Sequence, residues 1–403
     1  MDFFRFLMSD VLSEPAVLVG LIALIGLIAQ KKPVTECIKG TVKTIMGFVI
    51  LGAGAGLVVS SLGDFANIFQ HAFGIQGVVP NNEAIVSVAQ KSFGKEMAMI
   101  MFFAMVINIM IARFTPWKFI FLTGHHTLFM SMMVAVILAT AGMTGVTLIA
   151  VGSLVVGVAM VFFPAIAHPY MKKVTGSDDV AIGHFSTLSY VLAGFIGSKF
   201  GNKEHSTEDM NVPKSLLFLR DTPVAISFTM SIIFLVTCLF AGADAVKELS
   251  GGKNWFMFSI MQSITFAAGV YIILQGVRMV IAEIVPAFKG ISDKLVPNAR
   301  PALDCPVVFP YAPNAVLVGF LSSFAAGLIG MFTLYLLNMI VIIPGVVPHF
   351  FVGAAAGVFG NATGGRRGAI LGAFAQGLLI TFLPVFLLPV LGDIGFANTT
   401  FSD

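Results

Sequence analysis

The sequence predicts an all-α polytopic membrane protein, and three observations support this fold class. Of the 403 residues, 57% are hydrophobic and only 11% are charged, whereas soluble domains are about 25% charged. Residues 119–171 and 305–365 contain no Asp, Glu, Lys or Arg. A helix needs about 20 apolar residues to cross a bilayer, so the chain is long enough for many spans.

The N-terminal part predicts three spans and a hairpin. Residues 15–29 are free of charge and give span 1, and the loop after them carries four lysines against one glutamate. By the positive-inside rule that loop is cytoplasmic, which places the N-terminus outside. Residues 44–62 give span 2 and 97–112 give span 3. Residues 78–90 are too polar to span alone, so we predict a re-entrant hairpin there.

The uncharged residues 119–171 are long enough for spans 4 and 5, at 119–140 and 143–164. Residues 170–221 are the most charged part of the chain and are predicted to be the main cytoplasmic loop. Within that loop, residues 180–196 are apolar. They are too few to cross and return as two full helices, which predicts a second re-entrant hairpin.

The second half of the chain repeats this layout. Span 6 is predicted at 222–243 and span 7 at 254–277. Two further spans fall within the uncharged residues 305–365, with breaks near its prolines and glycines, and span 10 follows at 368–391. The predicted total is about ten spans plus hairpins.

Short sequence anchors recur about 220 residues later, which indicates an internal duplication. The paired anchors begin at Ile50 and Ile273, at Val79 and Val296, and at Phe121 and Gly345. Each unit would carry five spans, an odd number, so the two halves are predicted to be inverted in the membrane. Inverted repeats with broken helices and a site near the membrane midplane are typical of secondary transporters.

Two histidines interrupt the first uncharged run and are the leading candidates for a polar site. Ionisable groups at membrane depth are costly and by default indicate a transport path. Of His125 and His126, we prefer His125 because it aligns with His349 in the repeat. The alternative is a helix-end histidine that is bonded to a neighbouring carbonyl.

Three more residues have both a functional and a structural interpretation. Asp304 stands at the edge of the second uncharged run, where its carboxylate either accepts from sugar hydroxyls or pairs with Arg300 one turn earlier. Glu83 has the same two interpretations in the first half. His184 lies in the second hairpin and is either a site residue or a surface histidine.

Several other classes of protein are excluded or disfavoured. No nucleotide-binding loop or hydrolase elbow is present, which favours a carrier over an enzyme. The net charge of +3 is too small to indicate nucleic acid. The three cysteines, Cys37, Cys238 and Cys305, show no metal-binding or disulfide spacing. No cofactor or metal is therefore predicted.

A set of motifs then points to one family. The motifs are Lys39-Gly40-Thr41, Thr123-Gly124-His125, Ile182-Gly183-His184, Gln275-Gly276-Val277-Arg278-Met279, Asp304-Cys305 and Ala312-Pro313-Asn314-Ala315-Val316. Together they resemble the ascorbate-type enzyme IIC membrane component of the bacterial phosphoenolpyruvate-dependent phosphotransferase system. The resemblance covers essentially the whole chain.

This resemblance implies a multi-pass homodimer in the bacterial cytoplasmic (inner) membrane. The substrate would be L-ascorbate, which a soluble IIB component phosphorylates, with IIA as a further soluble partner; this chain would be the carrier. A scaffold and dimerisation part would comprise residues 1–77 and 221–302. A mobile core, residues 78–220 and 303–403, would carry the sugar by an elevator-like movement.

The resemblance also assigns sugar contacts to His125, His184 and Asp304, and we add Glu83 by its position. The sequence departs from better-known members in three places. Phe129 and Phe185 stand where those members carry glutamines, and Glu83 replaces an aromatic residue. The family also continues beyond the last residue of this chain, so an eleventh helix is expected there.

Two alternatives to this family function share the same residues. The first is an ion- or proton-coupled permease for a small polyol or organic anion, which needs the same buried acids and histidines. The second is a channel or membrane scaffold with no turnover. The broken helices and the clustered ionisable groups argue against it.

Overall fold

The computed structural model describes residues 15–74, 77–210, 215, 218, 221–392 and 399–402. The ends of the predicted scaffold and core parts, and part of the charged loop, therefore lie outside the described residues. In the first half the elements are α1 (Pro15–Ala29), α2 (Val34–Phe73), β1 (Gly77–Pro80), α3 (Asn82–Phe114), β2 (Phe119–Phe121), α4 (Gly124–Thr140), α5 (Gly145–Thr175), β3 (Ala181–Ile182) and α6 (Thr187–Phe200).

The elements of the second half follow a similar order. They are α7 (Thr222–Ala241), α8 (Ala243–Leu249), α9 (Trp255–Leu295), β4 (Arg300–Leu303), a 3-10 helix (Cys305–Tyr311), α10 (Pro313–Leu336), β5 (Val341–Ile342), α11 (Val346–Gly392) and β6 (Thr399–Thr400). The backbone of α11 is not helical at Gly364 and Gly365. Gly365 has φ 60°, and a Cβ on Gly364 would lie 2.1 Å from the carbonyl oxygen of Gly197, so this break needs glycine.

Six helices in the described part of the chain are long and apolar enough to cross a membrane. They are α2, α3, α5, α9, α10 and α11. The helices α7 and α8 would count as a seventh span if the pair, bent by 109°, is taken as one. This architecture is that of a multi-pass, largely helical membrane protein, and the count of ten spans stays a prediction.

The first predicted hairpin and span 3 are continuous in the structure. Residues 78–80 of the hairpin belong to β1, whereas residues 82–90 and the whole of span 3 belong to α3. This helix begins where the side chain of Asn81 accepts from the Ala84 N–H at 2.7 Å and ends at Phe114, and the re-entrant path of the hairpin stays a prediction. The polar residues between them, Gln90 to Glu96, include Gln, Lys and Glu, which are good helix formers. These polar residues interrupt the hydrophobic pattern of the segment, but they do not end the helix.

Two small parallel sheets, which the all-α prediction did not include, hold the halves together. Their strand orders are β5-β1-β6 and β2-β4-β3. The first strand of each half is thus the centre of a sheet whose two edges come from the other half. Strands of two to four residues carry no usable alternation of polarity, so the apolar runs that contain them predict helix.

The order of elements supports the predicted repeat, but two of the three anchor pairs do not occupy equivalent positions. Ile50 and Ile273 lie in the equivalent long helices α2 and α9. Val79 lies in β1, whereas Val296 precedes the equivalent strand β4, so this pair is not equivalent. His349 is the fourth residue of α11, whereas His125 is the second residue of α4.

The helices pack in two groups. One contains α1, α2, α7 and α9, and the other contains α3 to α6 with α10 and α11. Contact between α2 and α9 is close because α2 presents glycines. A Cβ on Gly47 would lie 2.7 Å from the Gly276 carbonyl oxygen, and one on Gly54 would lie 2.9 Å from the Gly269 carbonyl oxygen. Small residues at such crossings let two backbones approach in a membrane.

The outer edge of β2 is completed by one side chain rather than by a strand. Asn108 of α3 is fully buried; its Nδ2 donates to the Phe119 carbonyl and its Oδ1 accepts from the Phe121 N–H, both at 3.0 Å. Because β4 pairs with the opposite edge of β2, Asn108 satisfies the groups that would otherwise have no partner.

Replacing Asn108 by Leu is expected to destabilise the protein by roughly 2–6 kcal/mol, since two buried backbone groups lose their partner and each costs about 1–3 kcal/mol. Thermal unfolding in detergent measures the effect. The control is Asn202→Leu, because Asn202 is exposed and its side-chain oxygen accepts from the Glu204 N–H of its own loop. Equal unfolding temperatures for the two variants would contradict this role of Asn108.

Candidate functional site

A cavity of about 500 Å³ brings together all four site residues that the sequence predicted, Glu83, His125, His184 and Asp304. Each of them follows the end of a strand, after β1, β2, β3 and β4 respectively. Strands in each sheet are parallel, so their carboxyl ends meet at one edge. Both of these edges contribute to the same cavity, because residues following all six strands line it.

Asp304 occupies the centre of a small polar cluster. Its Oδ1 accepts from the Cys305 N–H at 2.7 Å, which fixes the carboxylate at the start of the 3-10 helix. The Nε2 atoms of His125 and His184 lie 3.3 Å and 3.9 Å from its two oxygens. The structural alternative, a pair with Arg300, is wrong, because Arg300 lies instead 3.7 Å from Asp178.

The proton position on His184 follows from its other nitrogen. The Ser186 N–H donates to Nδ1 at 3.1 Å, so Nδ1 carries a lone pair and the neutral ring has its proton on Nε2. That N–H points towards the Asp304 carboxylate. The ring is 1% exposed, and the Thr187 hydroxyl donates to the His184 carbonyl. His184 is therefore held as a donor on the cavity wall and is not a surface histidine.

His126 is a site residue that the repeat argument did not select. Its ring is buried and lies 3.7 Å from the ring of His184 and 4.8 Å from that of His125, measured between centroids. His349, on whose alignment His125 was preferred, is buried and is not among the residues that line the cavity, and its Nδ1 is hydrogen-bonded to the Ser323 hydroxyl at 2.7 Å. The adjacent histidines 125 and 126 were the sequence feature that pointed to His126, because both lie in the first turn of α4 and both reach the cavity.

Of the two phenylalanines that stand where better-known family members carry glutamine, Phe129 lines this cavity and Phe185 does not. Phe129 lines it, next to His125 and His126. Phe185 turns away and packs on Phe121, with the ring centroids 4.9 Å apart. The change at residue 129 therefore affects the cavity wall directly, whereas residue 185 belongs to the apolar layer behind it.

Arg278 of α9 also lines the cavity and is exposed. Arg278 belongs to a motif of the family resemblance, which implies no role for it. A signal was available, since Arg278 is the first charged residue after Lys253 in the long apolar run of α9. The α9 residues Leu274 and Arg278 close one side of the cavity, and the strand ends close the other.

Helix termini add positive potential to the site. First-turn residues of α3, α4 and α11 line the cavity, namely Asn82 and Glu83, His125 and His126, and Val347 and Pro348. The N-terminal end of a helix carries a partial positive charge that favours nearby anions. The cavity thus combines two carboxylates and three imidazoles with an arginine and three positive helix ends, which suits a ligand with both hydroxyl groups and negative charge.

An ion cluster behind the site joins α5 to β4. The carboxylate of Asp178 accepts from Lys172 Nζ at 2.6 Å and His168 Nε2 at 2.7 Å, and Arg300 at the start of β4 lies nearby. The hydrogen bonds from Lys172 and then His168 lower the pKa of Asp178 to about 2. This carboxylate is therefore ionised at every physiological pH.

Comparison with known proteins gives two findings. A family model described as the PTS system sugar-specific permease component matches residues 10–403. The Ascorbate-specific PTS system EIIC component of Mycoplasma pneumoniae (strain ATCC 29342 / M129 / Subtype 1) is 27% identical over 427 aligned positions. That alignment covers 91% of this chain and 64% of the relative, so the chain spans less than two thirds of that relative's length.

Proposed function

The chain belongs to the family of PTS sugar-specific permease components, and on that premise we propose that it carries an ascorbate-like sugar acid across the bacterial cytoplasmic membrane. A soluble IIB partner, supplied through IIA, would phosphorylate the sugar on delivery, and this chain would perform no phosphoryl transfer itself. The observation that supports this proposal best is the meeting of His125, His184 and Asp304, with Glu83, in one cavity.

The chemistry of these groups matches a polyhydroxylated anion. Asp304, one third exposed to the cavity, accepts from sugar hydroxyls, and the imidazole N–H groups donate to sugar oxygens. Arg278 and the three helix ends offset the negative charge of an enediolate. A volume of about 500 Å³ falls within the range of about 300–1,000 Å³ that is usual for small-molecule sites.

We further propose an elevator-like carrier with a scaffold and a mobile core, assembled as a homodimer. The group of α1, α2, α7 and α9 would form the scaffold, and α3 to α6 with α10 and α11 would form the core. Since β4 pairs with the core strands β2 and β3, we place residues 300–302 in the core and not in the scaffold. The cavity is lined by α9 of the scaffold and by the strand ends of the core. A carrier of this type would bind its substrate between these two parts.

His184→Ala is expected to abolish sugar binding while dimers survive, because the variant removes a fixed donor from the cavity without touching α1, α2, α7 or α9. Binding of labelled L-ascorbate to purified protein and the mass in solution by light scattering measure the two properties. His205→Ala, in an exposed loop, is the control. Retained L-ascorbate binding in the His184 variant would remove His184 from the site.

Transport in vesicles separates the proposal from the coupled permease. We expect labelled L-ascorbate phosphate to accumulate only when IIB and a phosphoryl source are both present inside. Uptake of free L-ascorbate that needs neither, and that collapses with the proton gradient, would instead establish an ion- or proton-coupled permease.

A further inference from the structure

We propose that His125, His126 and Asp304 bind a divalent transition-metal ion such as Zn²⁺. One ligand atom from each of the three side chains lies within 4.8 Å of the others, and His125 Nε2 is 3.3 Å from Asp304 Oδ2. Ligands on one zinc ion, at about 2.0–2.2 Å from the metal, lie roughly 3–3.5 Å apart. Small side-chain rotations would therefore complete the coordination.

The three ligands are held by the fold before any ion binds. His125 and His126 are consecutive first-turn residues of α4, and His126 is buried between His125 and His184. Asp304 comes from the other half of the chain and is fixed by its bond from the Cys305 N–H. Such preorganisation lowers the entropy cost of binding.

The donor atoms select the class of ion. Two imidazoles and one carboxylate suit Zn²⁺, Fe²⁺, Co²⁺, Ni²⁺ or Cu²⁺, whereas Mg²⁺ and Ca²⁺ prefer oxygen ligands. Three protein ligands leave coordination positions open, as in metal sites that exchange ligands with solvent. Glu83, in the same cavity, adds a second negative charge that attracts a dication.

An overlapping trio, His184, Asp304 and Cys305, also has ligand atoms within 4.8 Å of one another, but it fits a metal less well. The Nδ1 atom of His184 is engaged by the Ser186 N–H, so Nε2 carries the proton and has no lone pair for an ion. Ligation through Nε2 would require that bond to break. The two histidines of α4 are therefore the better pair.

Zinc binding also has a consequence for transport, which rests on the proposed function. His125 and Asp304 are the groups that we expect to meet the sugar. An ion that occupies their lone pairs would remove those contacts, so Zn²⁺ and the sugar acid should exclude each other. Zinc would then act as an inhibitor at the carrier site itself.

The first test is calorimetric titration of the purified full chain with Zn²⁺, without sugar. We expect one ion per chain, no binding of Mg²⁺, and at least tenfold weaker zinc binding in His126→Asn and in Asp304→Asn. His205→Asn, in an exposed loop, should bind as the unmodified chain does, and thermal unfolding verifies that each variant is folded. Unchanged zinc affinity in His126→Asn would overturn the site.

Two further measurements test which residues bind the metal and whether zinc and the sugar exclude each other. With Co²⁺, we expect no thiolate charge-transfer band and the same affinity in Cys305→Ser; a band that this variant loses would overturn the ligand set. The apparent Kd for L-ascorbate should rise in proportion to Zn²⁺ above saturation of the metal site. If zinc binds and that Kd does not move, mutual exclusion is wrong. Failure of zinc-free protein to bind L-ascorbate would count against the proposed function and leave the metal site intact.

Discussion

Asp304→Asn is expected to weaken sugar binding by at least about 30-fold. Removing one charge from a hydrogen-bonded polar cluster costs about 2–5 kcal/mol, and 1.4 kcal/mol corresponds to tenfold in affinity. Both His125 and His184 direct Nε2 at this carboxylate. The amide keeps an oxygen to accept from the Cys305 N–H, so the start of the 3-10 helix should persist.

Equilibrium binding of labelled L-ascorbate to the purified protein measures this effect. The matched control is Glu204→Gln, the same change from carboxylate to amide at an exposed loop position, and it should leave the Kd unchanged. A Kd for Asp304→Asn within a factor of three of the unmodified chain would show that the carboxylate does not contact the sugar.

Gly183→Ala is expected to damage both stability and the site. Gly183 lies between β3 and His184, and its N–H donates to the Leu303 carbonyl at 2.7 Å. A Cβ there would lie 2.5 Å from the carbonyl oxygen and 2.8 Å from the carbonyl carbon of Ala302. These are backbone atoms of β4, so a strand must shift, at a cost of about 1–3 kcal/mol for overpacking. That shift would also separate His184 from Asp304.

We therefore expect a lower unfolding temperature and at least tenfold weaker L-ascorbate binding in Gly183→Ala. Gly63→Ala is the control for the same chemical change, because a Cβ on Gly63 meets nothing within 4 Å. Within α2 that substitution should be neutral or stabilise by up to about 1 kcal/mol. If Gly183→Ala unfolds and binds as the control does, β3 and β4 tolerate the extra methyl group and the close packing is not required.

The residues that line the cavity stand out in the sequence because burial of charge is costly. His125, His184, Asp304 and Glu83 each interrupt or border an apolar run, and a polar group in hydrocarbon needs a partner or a wet cavity. The cost of buried charge acts at single positions, and the fold places all four residues at one cavity. His126 does not follow from the sequence, because the preference for its neighbour His125 depends on an alignment with His349 that the fold does not support.

The membrane class, the helical character and the candidate site residues follow from local features of the sequence, because apolar length and the cost of buried charge act locally along the chain. The partners of these residues depend on the folded backbone. The strands pair with strands of the other half, Asp304 faces His125 and His184 rather than Arg300, and Arg278 reaches the cavity from α9. These contacts join segments far apart in the chain, where short strands and single side chains carry no periodic signal, so only the folded backbone could bring them together.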